Sequence, residues 1–497
     1  MNIIPLFSAV PLASAFLISL LGKRVKGFGD WLANLSAVFL TALSLFSIAL
    51  VNNGPGSLVY KVGGWPPPLG ICLVLDGISS FMLVTVNLIA CLVMIYSISY
   101  MGRYTDKDKF YSLILLMLAG MNGVIISGDM FNLYVFLEIA AISSYSLVAF
   151  GTEQEELEAS FKYMVMGTIA SAFILLGIAL LYARTSTLNM ADISRVLAEG
   201  QPNKVIPFVS VLFLMGFGLK AALVPFHAWL PDAHPSAPAP ISAMLSGVLI
   251  KTLGVYALIR IFFNVLGIRA EILSILMILG VVSMLVGVFL AIGQWDFKRL
   301  LAYHSISQVG YIFLGLGLGT PLGIAGGLFH LFNHSMFKSL LFLNSGAVDY
   351  AIGTRDLKRM GGLRERMPVT GNTSLVASMS IAGIPPFNGF WSKLIIILAC
   401  LQAGHPVYAF FAVLGSILTL ASFLKVQRYA FFGQLKQHLR AVVEVPLAMR
   451  AAMIAIAVIC LAGGLLLLPG LRKVFLDAAA AALTSGTGYA QLVLGAQ

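Results

Sequence analysis

Lysines inside apolar runs are the residues of this chain whose chemistry first needs an explanation. Six lie within long apolar stretches: Lys162, Lys220, Lys251, Lys338, Lys393 and Lys425. Glu138 lies in the middle of another, "YVFLEIAAISSYS". A charge at the centre of a membrane helix costs about 2.5–3.5 kcal/mol on insertion scales, so such groups usually face a protein interior or a water-filled cavity. Because proton relays are a standard use of such groups, these residues are candidates for a proton path.

Two of the lysines have a simpler explanation. Lys425 lies three residues before Arg428 at the end of its stretch, so we expect its ammonium group to reach the membrane surface. Lys162 begins its stretch, and both a surface position and a place on the path stay open. The other four lie too deep, or too close to prolines, for this explanation: Lys220, Lys251, Lys338 and Lys393. We expect these four to function in transport.

Histidines accompany the lysines. His330, His334 and Lys338 recur every four residues in "FHLFNHSMFK", which places them along one stripe of a helix. Because histidine titrates near neutrality and no Glu or Cys lies near in sequence, a hydrated path suits this stripe better than a metal site. His227 and His234 lie in a proline-rich segment and are expected to be loop residues or to lie at the mouth of a path.

The composition shows which elements must position these groups. Of the 497 residues, 59% are hydrophobic and only 10% are charged. Runs of 18 or more apolar residues indicate transmembrane helices. We count fourteen such runs, near residues 3–22, 31–51, 72–97, 110–127, 130–150, 162–183, 205–224, 238–262, 272–293, 303–319, 322–345, 372–400, 407–428 and 451–470. The prediction is an all-α integral membrane protein with fourteen transmembrane helices. The first run has no charged segment before it, so we expect it to be a retained helix.

The basic residues follow the predicted topology. Of the 31 Lys and Arg residues, 17 fall in loops after odd-numbered spans and six in loops after even-numbered spans. The six are Lys61, Arg184, Arg195, Lys204, Arg260 and Arg269. The positive-inside rule therefore places the odd loops in the cytoplasm and both termini outside a cell membrane. The net charge of +11 thus reflects topology, and we expect no nucleic-acid partner.

The deep lysines also repeat along the chain. Lys162 precedes Lys338 by 176 residues, Lys220 precedes Lys393 by 173, and the third pair (Lys251 with Lys425) is separated by 174. An offset of five helices reverses the orientation of the second unit in the membrane. We therefore predict two inverted five-helix repeats. In each of them, prolines beside a lysine ("VPFHAW" and "IPPFNGFW") interrupt a helix, the seventh and the twelfth.

These repeats divide the chain into four parts. Residues 1–109 hold helices 1–3, 110–262 the first repeat (helices 4–8), 272–428 the second repeat (helices 9–13), and 429–497 helix 14 and a tail. The four cysteines show no ligand spacing, and the chain has no phosphate-binding or dinucleotide motif. We therefore expect no cofactor, no metal and no redox chemistry of its own, so whether it belongs to an enzyme complex is uncertain.

Several motifs resemble those of one known family. They are "GDMFNLYVFLEIAAISSYSLVAF", "LKAALVPFHAWLPDAHPSAPAPISAMLSGVLIKTLGVY", "HSISQVGY", "HLFNHSMFKSLLFLNSG" and "GIPPFNGFWSK". The chain resembles, over nearly its whole length, the proton-translocating antiporter-like subunits of Mrp-type Na+/H+ antiporters, respiratory complex I and membrane-bound hydrogenases. The resemblance implies fourteen core helices, two inverted five-helix repeats and broken helices 7 and 12.

The resemblance also implies roles for individual residues. Glu138 and Lys220 match a charge pair on helices 5 and 7, Lys251 a connecting lysine on helix 8, and Lys393 the distal lysine on helix 12. His330, His334 and Lys338 match polar groups of helix 11 that link the two halves. Together with Lys162 and His227, which the resemblance does not assign, they form a secondary set of candidates on the proton path. In the implied mechanism a proton is held on Lys220, passes through Lys251 and the helix 11 stripe to Lys393, and leaves on the other side.

Two functions are open at this point. The first is a proton-translocating subunit of a multi-subunit cation/proton antiporter, of the D type found in Mrp complexes. Its expected partners are other membrane subunits, protons, Na+ and the lipid bilayer. The alternative is a proton-pumping subunit of a redox-driven complex, either a membrane-bound hydrogenase or an NADH or ferredoxin dehydrogenase of the complex I superfamily. The "GDMFNLYVFLEI" segment and Lys393 favour the first.

Overall fold

The computed structural model describes residues 3–54, 56–104, 106–201, 204–486 and 488–495. Most of these residues are helical, but one antiparallel hairpin pairs β1 (Ser57–Lys61) with β2 (Cys72–Asp76). The prediction of an all-helical chain omits this hairpin. The reason lies at Asp76, whose side chain accepts a hydrogen bond from the Ser79 backbone N–H at 3.0 Å. This N-cap makes the third helix begin at Gly77, so the first residues of the predicted third span are free to pair as a strand.

The α-helices follow the predicted spans, with short additional helices in the loops and in the tail. In chain order they are α1 (Leu6–Leu21), α2 (Phe28–Asn53), α3 (Gly77–Tyr100), α4 (Lys107–Ile126), α5 (Met130–Val148), α6 (Gln154–Thr185), α7 (Met190–Glu199), α8 (Val205–Lys220), α9 (Leu230–Ser236), α10 (Ala239–Met244), α11 (Ala257–Arg260), α12 (Ala270–Ile292), α13 (Phe297–Gly317), α14 (Pro321–Ile352), α15 (Pro368–Ala382), α16 (Asn388–Gln402), α17 (Pro406–Val426), α18 (Leu447–Ala462), α19 (Pro469–Arg472), α20 (Ala478–Thr484) and α21 (Gly488–Leu494).

Many of these helices can cross a bilayer. In the part of the chain that the structure describes, nine helical segments are long and apolar enough to do so. Three shorter helices, α1, α8 and α16, are also apolar. The protein is therefore a multi-pass helical membrane protein, while the number fourteen stays a prediction.

Both predicted helix breaks are present. The seventh span ends as a helix at Lys220 and resumes only at α9. The twelfth ends with α15 and resumes with α16, and Gly383 between them adopts the left-handed φ of +80°. In both places proline removes a backbone donor and prevents continuation of the helix.

The eighth span has a feature that its apolar pattern did not predict. Between α10 and α11 it is wound as π-helix over Leu245–Leu249 and Lys251–Tyr256, and it ends in a third π segment, Ile261–Val265. Such widened turns occur frequently at functional sites. Here the second of them carries Lys251.

Loops that follow even-numbered spans lie together, and so do loops that follow odd-numbered spans, as the predicted topology requires. After even-numbered spans, isolated bridges join Leu73 to Ser127 and Asp129 to Asn189. After odd-numbered spans, Asp296 is bridged to Asp356, and its carboxylate lies 3.4 Å from the Arg355 guanidinium. The connecting segments therefore gather on two faces, called here the even-loop face and the odd-loop face.

Two basic residues that the count of charges assigned to loops, Arg260 and Lys298, are buried. Arg260 belongs to the eighth span and its side chain is 1% exposed, because it forms an ion pair with Asp76. Lys298 is buried at the start of α13 and donates a hydrogen bond to the Ala237 carbonyl oxygen at 2.7 Å. A charge near the end of an apolar run looks like a loop residue unless its distant partner is known.

The core is built around α14, in which every residue from Gly323 to Val348 is buried. A helix that is largely apolar on all sides belongs in the interior, surrounded by other helices. The polar stripe of α14 is therefore buried with it. This arrangement places His330, His334 and Lys338 at the centre of the molecule.

Candidate functional site

The first break brings together the predicted charge pair. Lys220 is the last residue of α8, and its Nζ lies 3.9 Å from Oε1 of Glu138 on α5. The same Nζ donates a hydrogen bond to the Tyr145 hydroxyl oxygen at 3.3 Å, and the Ser171 hydroxyl of α6 donates to Glu138. A separation of 3.9 Å is too long for a direct hydrogen bond between the two charges. The ion pair is therefore loose, and a small movement of α5 or α8 would open it.

Removal of the Tyr145 hydroxyl should weaken this site without breaking it. A hydrogen bond to a charged group contributes about 1.5–3 kcal/mol, so Tyr145→Phe is expected to lower the transport rate about tenfold. The ring that packs against Tyr163 would remain, at 4.6 Å between centroids. The measurement is ion transport by reconstituted complex, normalised to the amount of assembled protein. An unchanged rate would show that the hydroxyl takes no part.

Two lysines lie at the centre, beyond the first break. Lys251 and Lys338 are both fully buried. Lys251 donates a hydrogen bond to the Ser246 carbonyl oxygen and Lys338 to the Leu301 carbonyl oxygen. Among the described residues, neither has a carboxylate within ion-pair distance. A permanent charge without a partner would be costly at this depth.

The two histidines of the predicted stripe continue from Lys338 along α14 towards the second break. The rings of His330 and His334 are stacked, with centroids 6.2 Å apart. Nδ1 of His330 lies 2.9 Å from the Ser392 hydroxyl on α16. Within the described part of the chain, Nε2 of His330 and both ring nitrogens of His334 have no hydrogen-bond partner. These nitrogens therefore retain unused hydrogen-bonding capacity.

Lys393 occupies the second break. Its Nζ donates hydrogen bonds to the Ile381 carbonyl oxygen at 2.7 Å and to the Ser416 hydroxyl at 3.3 Å, and it lies 4.7 Å from the centre of the Tyr311 ring. A cavity of about 240 Å³ adjoins it, and Gly383 contributes to the cavity wall. The end of α15 thus supplies a carbonyl to the lysine because its helical hydrogen bonds stop there.

Two residues of the predicted secondary set are not gathered into this buried series. Lys162 is half-exposed, and its Nζ lies 2.7 Å from Glu158 and 3.2 Å from Asp232. It lines a polar cavity of about 560 Å³ on the odd-loop face, together with Arg299. His227 is half-buried in the first break. Both therefore lie closer to the surface than the four central lysines.

The lysine that was predicted to reach the surface does not extend freely into solvent. Lys425 is half-buried, and its Nζ donates hydrogen bonds to the carbonyl oxygens of Ile292 and Gln294, both at 2.6 Å. These carbonyls lie at the end of α12, at the odd-loop face. The ammonium group thus satisfies a helix end at the edge of the apolar region, which agrees with the predicted role at the end of a span.

Two further histidines belong with the buried series, and sequence reasoning missed them. His234 was predicted to be a loop or mouth residue, but it is fully buried between Trp229 and Phe342. His304 is also fully buried, and its Nε2 lies 2.8 Å from the Ser422 hydroxyl. The only available signal was histidine within an apolar run, in "HSISQVGY", and it did not show which elements would enclose the ring.

Among the described residues, no group of three or more His, Cys, Asp or Glu side chains is placed so that it could hold a metal ion. The stacked histidines of α14 face serine, tyrosine and phenylalanine instead. The chemistry that these residues offer is the transfer of protons between nitrogen and oxygen atoms.

Comparisons with known proteins agree with this architecture. The family model "NADH:quinone oxidoreductase/Mrp antiporter, TM" matches residues 127–419, and the model "NADH-Ubiquinone oxidoreductase (complex I), chain 5 N-terminus" matches residues 67–111. The N-type subunit of NADH-quinone oxidoreductase from Desulforudis audaxviator is 38% identical over 88% of this chain and 86% of its own length. The D-type subunit of the Na(+)/H(+) antiporter from Alkalihalophilus pseudofirmus is 37% identical over 77% of both chains.

A solved structure shows the same fold. A chain in the structure of the Mrp complex from a Dietzia species superposes with a TM-score of 0.92, at 31% identity over 99% of both chains. The family model matches a region that includes both helix breaks and all four central lysines. This match and the structural likeness together identify the family of the chain. The chain belongs to the NADH:quinone oxidoreductase/Mrp antiporter transmembrane family.

Proposed function

We propose that the protein is the proton-translocating membrane subunit of a multi-subunit cation/proton antiporter, of the D type found in Mrp complexes. The observation that carries this proposal is the series of buried lysines at and between the two helix breaks. Three of them, Lys251, Lys338 and Lys393, have no carboxylate within ion-pair distance among the described residues. Buried amines of this kind are suited to alternate between charged and neutral forms.

The proposed path runs across the molecule between the two breaks. A proton is held on Lys220, where Glu138 stabilises the charged form. It then passes through Lys251 and the group formed by Lys338, His334 and His330 to Lys393. The loose 3.9 Å contact between Glu138 and Lys220 supports control of this step, because opening of the pair removes the charge that holds the proton.

We further propose that the chain has fourteen spans and that residues 110–262 and 272–428 form two inverted repeats. Residues 1–109 precede the first repeat, and residues 429–497 follow the second. Each broken helix supports this, since its lysine lies against a tyrosine ring from the corresponding helix, Tyr145 on α5 and Tyr311 on α13. The environments are not equivalent throughout, because Lys162 is half-exposed whereas its counterpart Lys338 is fully buried. By the positive-inside rule, the odd-loop face is cytoplasmic and both termini lie outside the cell membrane.

A redox-driven complex is the second candidate, in which the same residues would serve as the output stage of a pump. The 38% identity to a protein of an NADH-quinone oxidoreductase supports it. In that case the partners would include proteins that carry iron–sulfur or nickel–iron centres. This chain would contribute only proton transfer.

The proposal is tested on the native complex after mild solubilisation. Mass spectrometry identifies the proteins that purify with this chain, and proteoliposomes serve to measure transport. Small hydrophobic partners, no redox protein, and Na+-dependent proton movement driven by a pH gradient are the expected result. Co-purified redox subunits, with transport only when an electron donor is present, would replace the first function by the second. Transport by the isolated chain would contradict both.

A further inference from the structure

A cavity on the even-loop face lies outside the proposed proton path. It has a volume of about 230 Å³ and lies where α6 and the eighth span end and where α8 and α12 begin, with α7 as one wall. Two arginines line it, Arg184 in the last turn of α6 and Arg269 directly before α12. None of the predicted path residues is in its wall. We call this space the arginine cavity.

The polar groups of the arginine cavity have no partners in the described part of the chain. Neither the Arg184 nor the Arg269 guanidinium forms an ion pair or a hydrogen bond there. Ser194 of α7 also lines the cavity and is only 2% exposed, and its hydroxyl has no hydrogen-bond partner among the same residues. The described wall contains no carboxylate. The cavity therefore combines a positive charge with unused hydrogen-bond donors.

The carboxylates of the adjacent helix α7 are already paired with another arginine. Asp192 lies 2.7 Å from the Arg195 guanidinium, and Glu199 lies 3.6 Å from it. Arg269 also gains nothing from its own helix, because a cation is disfavoured before the N-terminal end of a helix. An anion from outside the chain would supply the partner that these elements do not give to Arg269.

Surface that faces lipid continues from the arginine cavity towards the centre of the membrane. Ile206 lines the cavity, and Phe208, two residues further into α8, is 55% exposed. On α12, Ile275 and Ile278 are exposed as well. Large apolar side chains on the outside of a membrane-spanning helix contact lipid tails, and the head groups lie directly beyond the hydrocarbon region. The two arginines are therefore placed at the depth of lipid head groups.

We propose that the arginine cavity binds the phosphate group of an anionic phospholipid from the leaflet on the even-loop face. The Arg184 and Arg269 guanidinium groups each present a planar fork of N–H donors that matches phosphate oxygens, and the Ser194 hydroxyl donates a further hydrogen bond. Basic pockets between membrane helices are typical binding sites for anionic head groups. This inference goes beyond the proposed function and does not depend on it.

The adjoining surface favours a lipid over a free phosphate ion. Both ligands would use the same donors, but only a lipid also covers the exposed apolar side chains of α8 and α12 with its acyl chains. The bound lipid would also connect the two proposed repeats, since Arg184 lies in the first and Arg269 directly precedes α12 of the second. We therefore expect it to remain with the complex after mild solubilisation.

Lipid binding is tested on the purified complex after its lipids have been removed by detergent exchange. Phosphatidylglycerol, which is anionic, phosphatidylcholine, which is zwitterionic, and inorganic phosphate are titrated separately, and native mass spectrometry counts the bound molecules. The double variant Arg184→Gln/Arg269→Gln is compared with Lys61→Gln/Lys473→Gln. The control removes the same charge, and neither of its lysines lines the cavity. Lys61 lies in β1, and the residue after Lys473 accepts a hydrogen bond from the end of α2, so both belong to the even-loop face.

The wild-type complex is expected to bind one phosphatidylglycerol per copy of this chain with a dissociation constant that rises at least tenfold in the double variant. In the control the expected change is less than twofold. Phosphatidylcholine and inorganic phosphate are expected to bind the wild-type complex at least tenfold more weakly than phosphatidylglycerol. These comparisons between ligands need no variant, so they test the proposal even where the double variant does not assemble.

Four results would overturn the proposal. Equal binding of phosphatidylglycerol by the double variant and the control would show that the arginines do not hold the lipid. Equal binding of the two lipids by the wild-type complex would show that the site does not select a negative head group. Inorganic phosphate that displaces phosphatidylglycerol at equal concentration would assign the cavity to a free anion. Loss of a neighbouring subunit from the double variant, with the lipid still bound, would assign the two arginines to a protein interface.

Discussion

Replacement of Lys220 by alanine is expected to abolish transport in a complex that still assembles. The alanine leaves no group to hold the proton at the first break, and Glu138 loses the only cation within ion-pair distance among the described residues. Loss of a group that transfers protons typically costs about 10²–10⁴-fold in rate. We therefore expect at least a hundredfold lower rate of proton transport by the reconstituted complex. Glu138→Gln, which keeps the shape and removes the charge, is expected to lower the rate by a similar factor.

Lys425 provides the matched control for this experiment. It is also a lysine of an apolar span, but its ammonium group caps the carbonyl end of α12 and lies outside the buried series. Lys425→Ala is expected to keep at least half of the transport rate. If the Lys220 and Lys425 variants lose transport equally, the effect comes from general destabilisation by lysine removal. A Lys220→Ala complex that transports at the normal rate would exclude a role for this lysine.

The second large effect is expected from Gly254, which lets the eighth span approach the first break. A Cβ atom added at Gly254 would lie 2.4 Å from the Ala221 backbone nitrogen and 2.6 Å from its Cβ. Gly254 lies three residues after Lys251, and Ala221 directly follows Lys220. This contact therefore sets the distance between the two lysines that exchange the proton in the proposed path.

Gly254→Val should separate these two segments. Overpacking in a dense core costs typically about 1–3 kcal/mol, and contact with backbone atoms leaves little room for relaxation. We expect at least a tenfold lower yield of assembled complex, measured by fluorescence-detected size-exclusion chromatography, and a lower transport rate for the fraction that assembles. Gly102→Ala is the control, since nothing lies within 4 Å of its added Cβ. A normal yield and rate for Gly254→Val would show that the close approach is not required.

Much of the architecture could be predicted because its causes are local. Long apolar runs require burial in lipid wherever they occur, and proline removes a backbone donor from its own helix in any context. The two breaks beside Lys220 and Lys393 were therefore predictable, as was the stripe of His330, His334 and Lys338, whose spacing is a property of one helix. The depth of a lysine within its run also predicted that Lys251 and Lys338 are fully buried and that Lys425 is not, whereas it left the position of Lys162 open.

The features that only the tertiary structure decided depend on contacts between residues that are distant in the chain. Arg260 and Lys298 were counted as loop residues because a charge near the end of an apolar run resembles a loop, and their partners Asp76 and Ala237 lie far away in sequence. The burial of His234 follows from packing against Phe342 on α14, and the π winding around Lys251 has no counterpart in the apolar pattern. The sequence by itself thus determined the membrane-embedded helices, their two breaks and the depth of the lysines in the middle of an apolar run. The contacts that enclose each charge were decided only when distant helices packed together, because the cost of a buried charge depends on what surrounds it.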